Sequence, residues 1–308
     1  MPRHFADDLI RRQRDLGHPL CVGLDPHLDR IPSLFRQGSM APPDSRTAAA
    51  VEEFLSAILE RVTGRVAVVK PQIAFFERLG WRGLRVLERL VAQARRQRLL
   101  VLLDAKRGDV GSTAAGYAAA YLGSDAALEC DAMTLNPYLG RDSLKPFLDQ
   151  ARQQGRGLFV LVKTSNPGSG DFQDRRVEDG STLSEAVAEA LAEEARALRG
   201  PVTGWSSLGA VVGATYPHQS ERIRARLPHS LFLVPGYGAQ GGSARAALAG
   251  FVRGTSGQLE GGIVNSSRGI LFPPSGDTGD AARWERAVDE ALERSIGELR
   301  EASADHAG

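Results

Sequence analysis

Cysteine is nearly missing from this chain: Cys21 and Cys130 are the two it has, each beside an apolar run. So few thiols exclude a disulfide framework and fit the reduced core residues of a cytoplasmic protein. The six histidines are scattered, and no HxH, HExxH or CxxC spacing occurs, so a histidine or cysteine metal site is not expected. There is no excess of either charge, with 38 basic against 37 acidic residues and no long block of one sign, so neither nucleic acid nor an anionic membrane is expected as a partner. No apolar run approaches the roughly 20 residues of a membrane helix. The opening "MPRHFADDLIRRQRDLG" lacks the apolar segment of a signal peptide or anchor. No repeat is visible beyond an alternation of short apolar runs with longer segments.

That alternation carries the fold. Eight runs stand out: 19–25, 66–70, 99–104, 131–135, 157–162, 208–214, 231–236 and 261–267. Between them lie segments such as "AAAVEEFLSAILERV", "WRGLRVLERLVAQARRQR", "LSEAVAEALAEEARALR" and "SARAALAGFVRG", whose apolar residues recur at three and four. Continuous apolar strands, each followed by a helix, imply a parallel sheet covered by helices. Eight such units match an α/β (β/α)8 TIM barrel, and one domain spanning 1–308 is expected. Stretches 36–46 and 166–182, rich in Gly, Pro, Ser and charge, read as loop insertions, and about 298–308 as a frayed tail.

A barrel enzyme builds its site from the loops after its strands. The strand ends here carry Asp25, Lys70, Asp104, Asn136, Lys163 with Thr164 and Ser165, Thr215, Gln240 and Arg268. One of these alone is most simply a cap or an ion-pair partner; together they form a polar ring on one rim. In "LLDAKRGDVGST", residues 102–113, Asp104 and Lys106 are two apart and should face the mouth together, with Lys70 as a neighbour. With Asp109, this gives alternating Lys and Asp charges in a cleft, where adjacent carboxylates keep each ammonium charged. Such a lysine can stabilise a developing carbanion and then protonate it without an electron-sink cofactor.

A second cluster suits an anion. "VPGYGAQGG" (234–242) follows the seventh run and "NSSRG" (265–269) the eighth, where barrels commonly bind phosphate. Glycine-rich turns expose backbone N–H groups, the following helix adds its N-terminal end, and Arg268 can clamp phosphate oxygens. Gly236, Gly238 and Gly241 also spell GxGxxG, with Glu260 about twenty residues on, as in a dinucleotide fingerprint. The motif follows the seventh strand rather than the first, and Glu260 precedes its strand, so dinucleotide binding is set aside.

Taken in order, Asp104-x-Lys106-x-x-Asp109, Lys70 in "VKPQIAFFE", Asp25 in "VGLDP", "TLNPYLGRDSLKPF", "KTSNPGS", "VPGYGAQGG" and "NSSRG" resemble the orotidine 5'-phosphate decarboxylases, specifically their longer bacterial (type 2) subgroup. The likeness runs from about residue 18 to 272; the D-x-K-x-x-D element alone is shared by a wider barrel suprafamily, whereas the full set is specific. The resemblance implies cofactor-free removal of CO2 from orotidine 5'-monophosphate (OMP) to give UMP, the last step of de novo pyrimidine synthesis. It implies Lys106 as proton donor to C6 and Asp104 beside the substrate carboxylate. Lys70 and Asp25 would hold the ribose hydroxyls, while Gln240 and Arg268 would close over the phosphate. Ser165 would contact the pyrimidine amide edge, a role Thr164 or Asn166 could share. Asp109 and Thr113 would reach into the site of a partner subunit, making a homodimer the functional unit.

Other motifs have simpler readings. Asn136 and Tyr138 can equally stiffen a loop or contact a ligand, "GATYP" can be a turn into a helix, and His27 is expected on a loop rather than in catalysis. The alanine-rich "TAAGYAAAYLG" reads as a closely packed helix, possible at a dimer interface. Two rivals stand beside the decarboxylase. A metal-dependent relative acting through an enediolate would want carboxylates around Mg2+, and Lys70 sits where a second acid would serve. A mere phosphate-binding module gives no reason to bury lysines and aspartates together.

Overall fold

The computed structural model describes residues 3–238 and 241–306. Eight strands form its centre: β1 (Leu20–Leu24), β2 (Val68–Pro71), β3 (Leu100–Arg107), β4 (Ala132–Leu135), β5 (Gly157–Lys163), β6 (Ser206–Val212), β7 (Ser230–Val234) and β8 (Gly262–Ser266). Each lies parallel to the next, and β8 pairs with β1, with Leu20 opposite Val264, so the sheet closes on itself. This is the TIM barrel that the alternation of runs implies.

Alternation along the strands divides the core in two. Val22, Val69, Val101, Leu103, Met133, Val160, Ala210 and Val264 face outward and pack with the helices. The other parity, including Cys21, Val68, Leu100, Leu102, Ala132, Phe159, Leu231 and Ile263, fills the lumen. Both cysteines are buried free thiols. No helix among the described residues is long and apolar enough to cross a membrane.

The charged opening segment is an amphipathic helix, α1 (Phe5–Leu16), that closes the lower end of the barrel. Its Phe5, Ala6, Leu9 and Ile10 join the luminal cluster, and Phe5 meets Phe159 edge-to-face at 6.0 Å between ring centroids. Asp7 and Asp8 lie in its first turn, where carboxylates favour the helix dipole. Buried Asp7 accepts from the Thr203 N–H at 2.8 Å and hydroxyl at 2.6 Å, tying the helix to the segment before β6. Glu260, the acid of the would-be dinucleotide motif, sits at this same lower end. It accepts from Arg14 at 2.7 and 3.0 Å, from Trp205 Nε1 at 3.0 Å and from Ser256 at 2.8 Å.

Two expectations are corrected. "SARAALAGFVRG" is helical only over Ala244–Ala247, after which the chain turns into a small antiparallel pair, Val252–Arg253 with Leu259–Glu260. Gly250 packs where a Cβ would lie 2.3 Å from Ser220 Oγ and 2.9 Å from the Phe232 ring, so the segment hugs the barrel and cannot project a helix. The tail is also shorter than expected: one helix runs Ala281–Ala304, because Trp284, Val288, Leu292, Ile296 and Leu299 form a buried stripe at helical spacing. The 36–46 insertion is folded back through Asp44, which accepts from Ser39 N–H and caps the helix Ser45–Val62. The 166–182 insertion contains a turn at Pro167–Ser169 and a short helix, Gly170–Gln173, before Thr182 caps the helix Leu183–Ala197 with a capping box.

Candidate active site

The luminal parity continues upward into polar side chains. Two residues beyond Val68 is Lys70, beyond Leu102 is Asp104, beyond Ala132 is Thr134 and beyond Ile263 is Asn265. At the open end of the barrel, Lys70 Nζ lies 3.1 Å from Asp104 Oδ2 and Lys106 Nζ 2.7 Å from Asp104 Oδ1. Thr134 is fully buried, donates to Asp104 Oδ1 at 2.9 Å and accepts from the Lys106 N–H at 2.8 Å. Sequence reasoning passed over Thr134 and Asn265, although each is a polar residue at a luminal position of an apolar strand.

Lys106 reaches the mouth by a route simple alternation does not describe. Its φ is +46°, in the left-handed region, and the pairing of β3 with β4 slips between Leu103 and Arg107. A non-glycine residue there costs on the order of 1 kcal/mol, and the Thr134 bond to its N–H helps hold it in place. The result is an exposed ammonium above a buried carboxylate: the Lys106 side chain is 44% exposed, that of Asp104 11% and that of Lys70 4%.

The charges sustain one another. Burial by itself pushes the Asp104 carboxyl up, but Lys70 and then Lys106 more than reverse this and hold it below the usual carboxylate range. Burial likewise opposes the Lys70 ammonium, while Asp104 and Asp25 hold its pKa above the ordinary lysine value. Both groups therefore stay charged at neutral pH.

Around this array lies a cavity of about 620 Å3, lined by Asp25, Lys70, Asp104, Lys106, Ser165 and Asn265 among others. Asp25 Oδ1 is buried and has no hydrogen-bond partner among the described residues, an acceptor aimed at a cavity that could receive a hydroxyl. Gly23 makes room for it. A Cβ there would lie 2.8 Å from Ser267 Cβ, 3.1 Å from Asn265 Oδ1 and 3.3 Å from Asp25 Oδ2. Gly23→Ala is expected to cost about 1–3 kcal/mol in urea unfolding. It should also raise the KM for substrate about tenfold by crowding Ser267 and, in the cavity wall, Asn265 and Asp25; an unchanged KM would show that close packing at Gly23 is not needed for substrate binding.

Of the three residues that could read a pyrimidine, two are engaged. Thr164 donates through its hydroxyl to Asn166 Oδ1 at 2.6 Å, leaving the Ser165 hydroxyl without a partner among the described residues. Gln173 and Phe172, also lining the cavity, come from the insertion and were not read from the sequence as site residues.

The remaining candidates flank the cavity. Arg268 opens the short helix Arg268–Leu271 directly after β8, half-buried and close enough to His27 to help lower its pKa, a shift due first to burial of the imidazole. The glycine-rich turn after β7 closes on itself, with Gly242 N–H donating to Gly236 O at 3.0 Å, and it needs Gly236 and Gly241 at φ +96° and +88°. Only one helical turn follows it, so the helix-end contribution expected there is slight. Gln240 lies outside the described residues. Asp109 and Thr113 do not line this chain's cavity: Asp109 accepts from Val110 N–H at 2.8 Å, and Thr113 is exposed on the first turn of the helix Gly111–Leu122. Asn136 accepts from Tyr138 N–H at 3.0 Å, stiffening the loop after β4. His27 is wedged edge-on between Phe75 and Phe272 on a loop, and "GATYP" leads into the helix Pro217–Arg226.

Known proteins are similar to this chain in sequence and fold. A protein of Rhodopirellula baltica named orotidine 5'-phosphate decarboxylase is 44% identical over 295 residues, covering 92% of this chain and 95% of the relative. One of the same name from Roseiflexus castenholzii is 45% identical over 257 residues, covering 83% and 85%. The solved structure of Leishmania donovani OMP decarboxylase superposes with a TM-score of 0.71 at 33% identity, covering 98% of this chain and 99% of that one. A sequence profile of the family described as "Orotidine 5'-phosphate decarboxylase / HUMPS family" matches residues 18–282. With the Lys70, Asp104 and Lys106 array standing at the mouth of a closed barrel, the chain belongs to the orotidine 5'-phosphate decarboxylase / HUMPS family.

Proposed function

We infer that the chain is an orotidine 5'-phosphate decarboxylase, converting OMP to CO2 and UMP in pyrimidine biosynthesis. The observation that carries this reading is a buried carboxylate gripped by two lysine side chains at the open end of the lumen. In this reading the OMP phosphate lies toward Arg268, Gln240 and the glycine turn, and the ribose hydroxyls meet Asp25 and Lys70. The pyrimidine edge faces Ser165, placing C6 over Lys106. The bond from C6 to the carboxylate breaks, CO2 leaves, and the electron pair remaining at C6 takes a proton from Lys106 Nζ. Asp104, fixed by Lys70 and Thr134, holds the Lys106 ammonium at the reacting carbon. Solvent access to Lys106 lets it regain its proton.

The functional unit in this proposal is a homodimer in which Asp109 and Thr113 complete the site of a second copy. Support comes from the surface beside them. Val110, Tyr138 and Leu139 are exposed at 52%, 85% and 48%, and the loops carrying them abut, since a Cβ on Gly108 would lie 2.9 Å from Asn136 O. The adjoining helix shows solvent a row of small residues, Ala115, Gly116 and Ala119. Grouped apolar side chains next to small ones suit an isologous contact. A cytoplasmic location accords with the two free thiols.

The direct test is ultraviolet absorbance of OMP mixed with EDTA-treated protein. Loss of the orotate band with appearance of UMP, at the rate seen without EDTA, is expected. Product only after Mg2+ is restored would favour the metal-dependent relative, against which the two ammoniums flanking Asp104 now speak, because they would repel a divalent cation.

A further inference from the structure

Lys163 is the one lysine at the mouth end of the barrel that the reaction does not use. It ends β5, its side chain is 0% exposed, and it does not line the cavity. Its Nζ lies 2.8 Å from Asp174 Oδ1 and 4.3 Å from the centroid of the Tyr216 ring. Gln219 Nε2 donates to the same Asp174 oxygen at 3.1 Å. Asp174 directly follows the short helix of the 166–182 insertion, so one carboxylate ties the insertion to both β5 and the helix Pro217–Arg226. The residue before it, Gln173, grips Thr164 twice, accepting from its N–H and donating to its hydroxyl, each at 2.9 Å.

We propose that Lys163 is a positioning residue: the pair of its buried ammonium with the partly exposed Asp174 clasps the insertion over the mouth and thereby sets where Ser165, Phe172 and Gln173 stand against the pyrimidine. The chain between Lys163 and Asp174 supplies seven of the sixteen residues lining the cavity, so moving this clasp moves nearly half of the wall. Stability is a poor reason for such a pair. Burying an ammonium costs about as much as pairing it recovers, and an apolar side chain of similar volume would hold the fold equally well. A clasp that must hold one geometry does need a directional, charged contact. The inference rests on the pyrimidine lying at the Ser165 side of the cavity.

The test uses the full chain with Asp174→Asn and Lys163→Met, the second removing the charge without leaving an unpaired ammonium in the core. Binding of UMP and of ribose 5-phosphate is measured by calorimetry, beside OMP kinetics and thermal melting. Both variants are expected to bind UMP about tenfold more weakly and to raise the KM for OMP by a similar factor. They should hold kcat within about threefold and bind ribose 5-phosphate as the wild type does. Equal losses for UMP and ribose 5-phosphate with a lowered Tm would reduce the pair to a structural brace and overturn the proposal. So would unchanged UMP binding. Failure of the wild type itself to bind UMP would instead overturn the functional reading beneath it.

Discussion

Lys106→Ala should abolish decarboxylation while leaving the protein folded. Loss of a positioned proton donor typically costs 10^2 to 10^4 in rate, and loss of a preorganised charge at the developing carbanion about 10^2 to 10^3 more, so kcat is expected to fall by at least about 10^4. The fold has little reason to change. Alanine carries the same Cβ, and therefore the same backbone penalty at φ +46°, as the lysine it replaces. Asp104 keeps Lys70 at 3.1 Å and Thr134 at 2.9 Å, so no buried charge is orphaned. Thermal melting should therefore stay within about 3 °C of the wild type. Substantial turnover in a folded variant would remove Lys106 from the proton-donor role.

Mixing two dead enzymes should restore a live one. Lys106→Ala and Asp109→Ala are each expected to be inactive as homodimers. If Asp109 serves the other subunit, a heterodimer holds one site with both defects and one with neither. Random exchange of equal amounts should then recover about a quarter of wild-type activity. No recovery, with exchange verified by differently tagged subunits, would place Asp109 in its own chain's site. Among the described residues, Asp109 and Thr113 are not in the wall that Asp104 and Lys106 help to build, and the exchange experiment decides which site they serve.

Much of the fold could be read in advance because its periodicities are local. Apolar runs marked the eight strands, and strand parity put Lys70 and Asp104 on the luminal face. The same parity pointed at Thr134 and Asn265, but a single polar residue inside an apolar strand is common, and only Thr134's bond to Asp104 and Asn265's place in the cavity wall single them out. Lys106 faces the mouth as expected, yet through a slipped register that alternation cannot foresee. Where contacts span the chain, reading failed. The apolar spacing of Phe5, Leu9 and Ile10 was masked by the charges between them, and the partner they need, Phe159, is far off in sequence. The truncated helix at Ala244–Ala247 reflects close packing of Gly250 on Phe232, and the clasp between Lys163 and Asp174 exists only once the insertion has folded.

The helix that closes the lower barrel also dictates traffic. Phe5, Ala6, Leu9 and Ile10 fill the lumen beneath the charged array together with Leu100, Phe159 and Leu231, leaving packed hydrocarbon on that side. Carbon dioxide set free above Asp104 is therefore expected to leave upward, through the open end of the cavity that Ser165 and Phe172 help to line. Gas escape and nucleotide entry are then expected to share that open end, and the helix whose side chains plug the other lies at the opposite end of the barrel from Asp104 and Lys106.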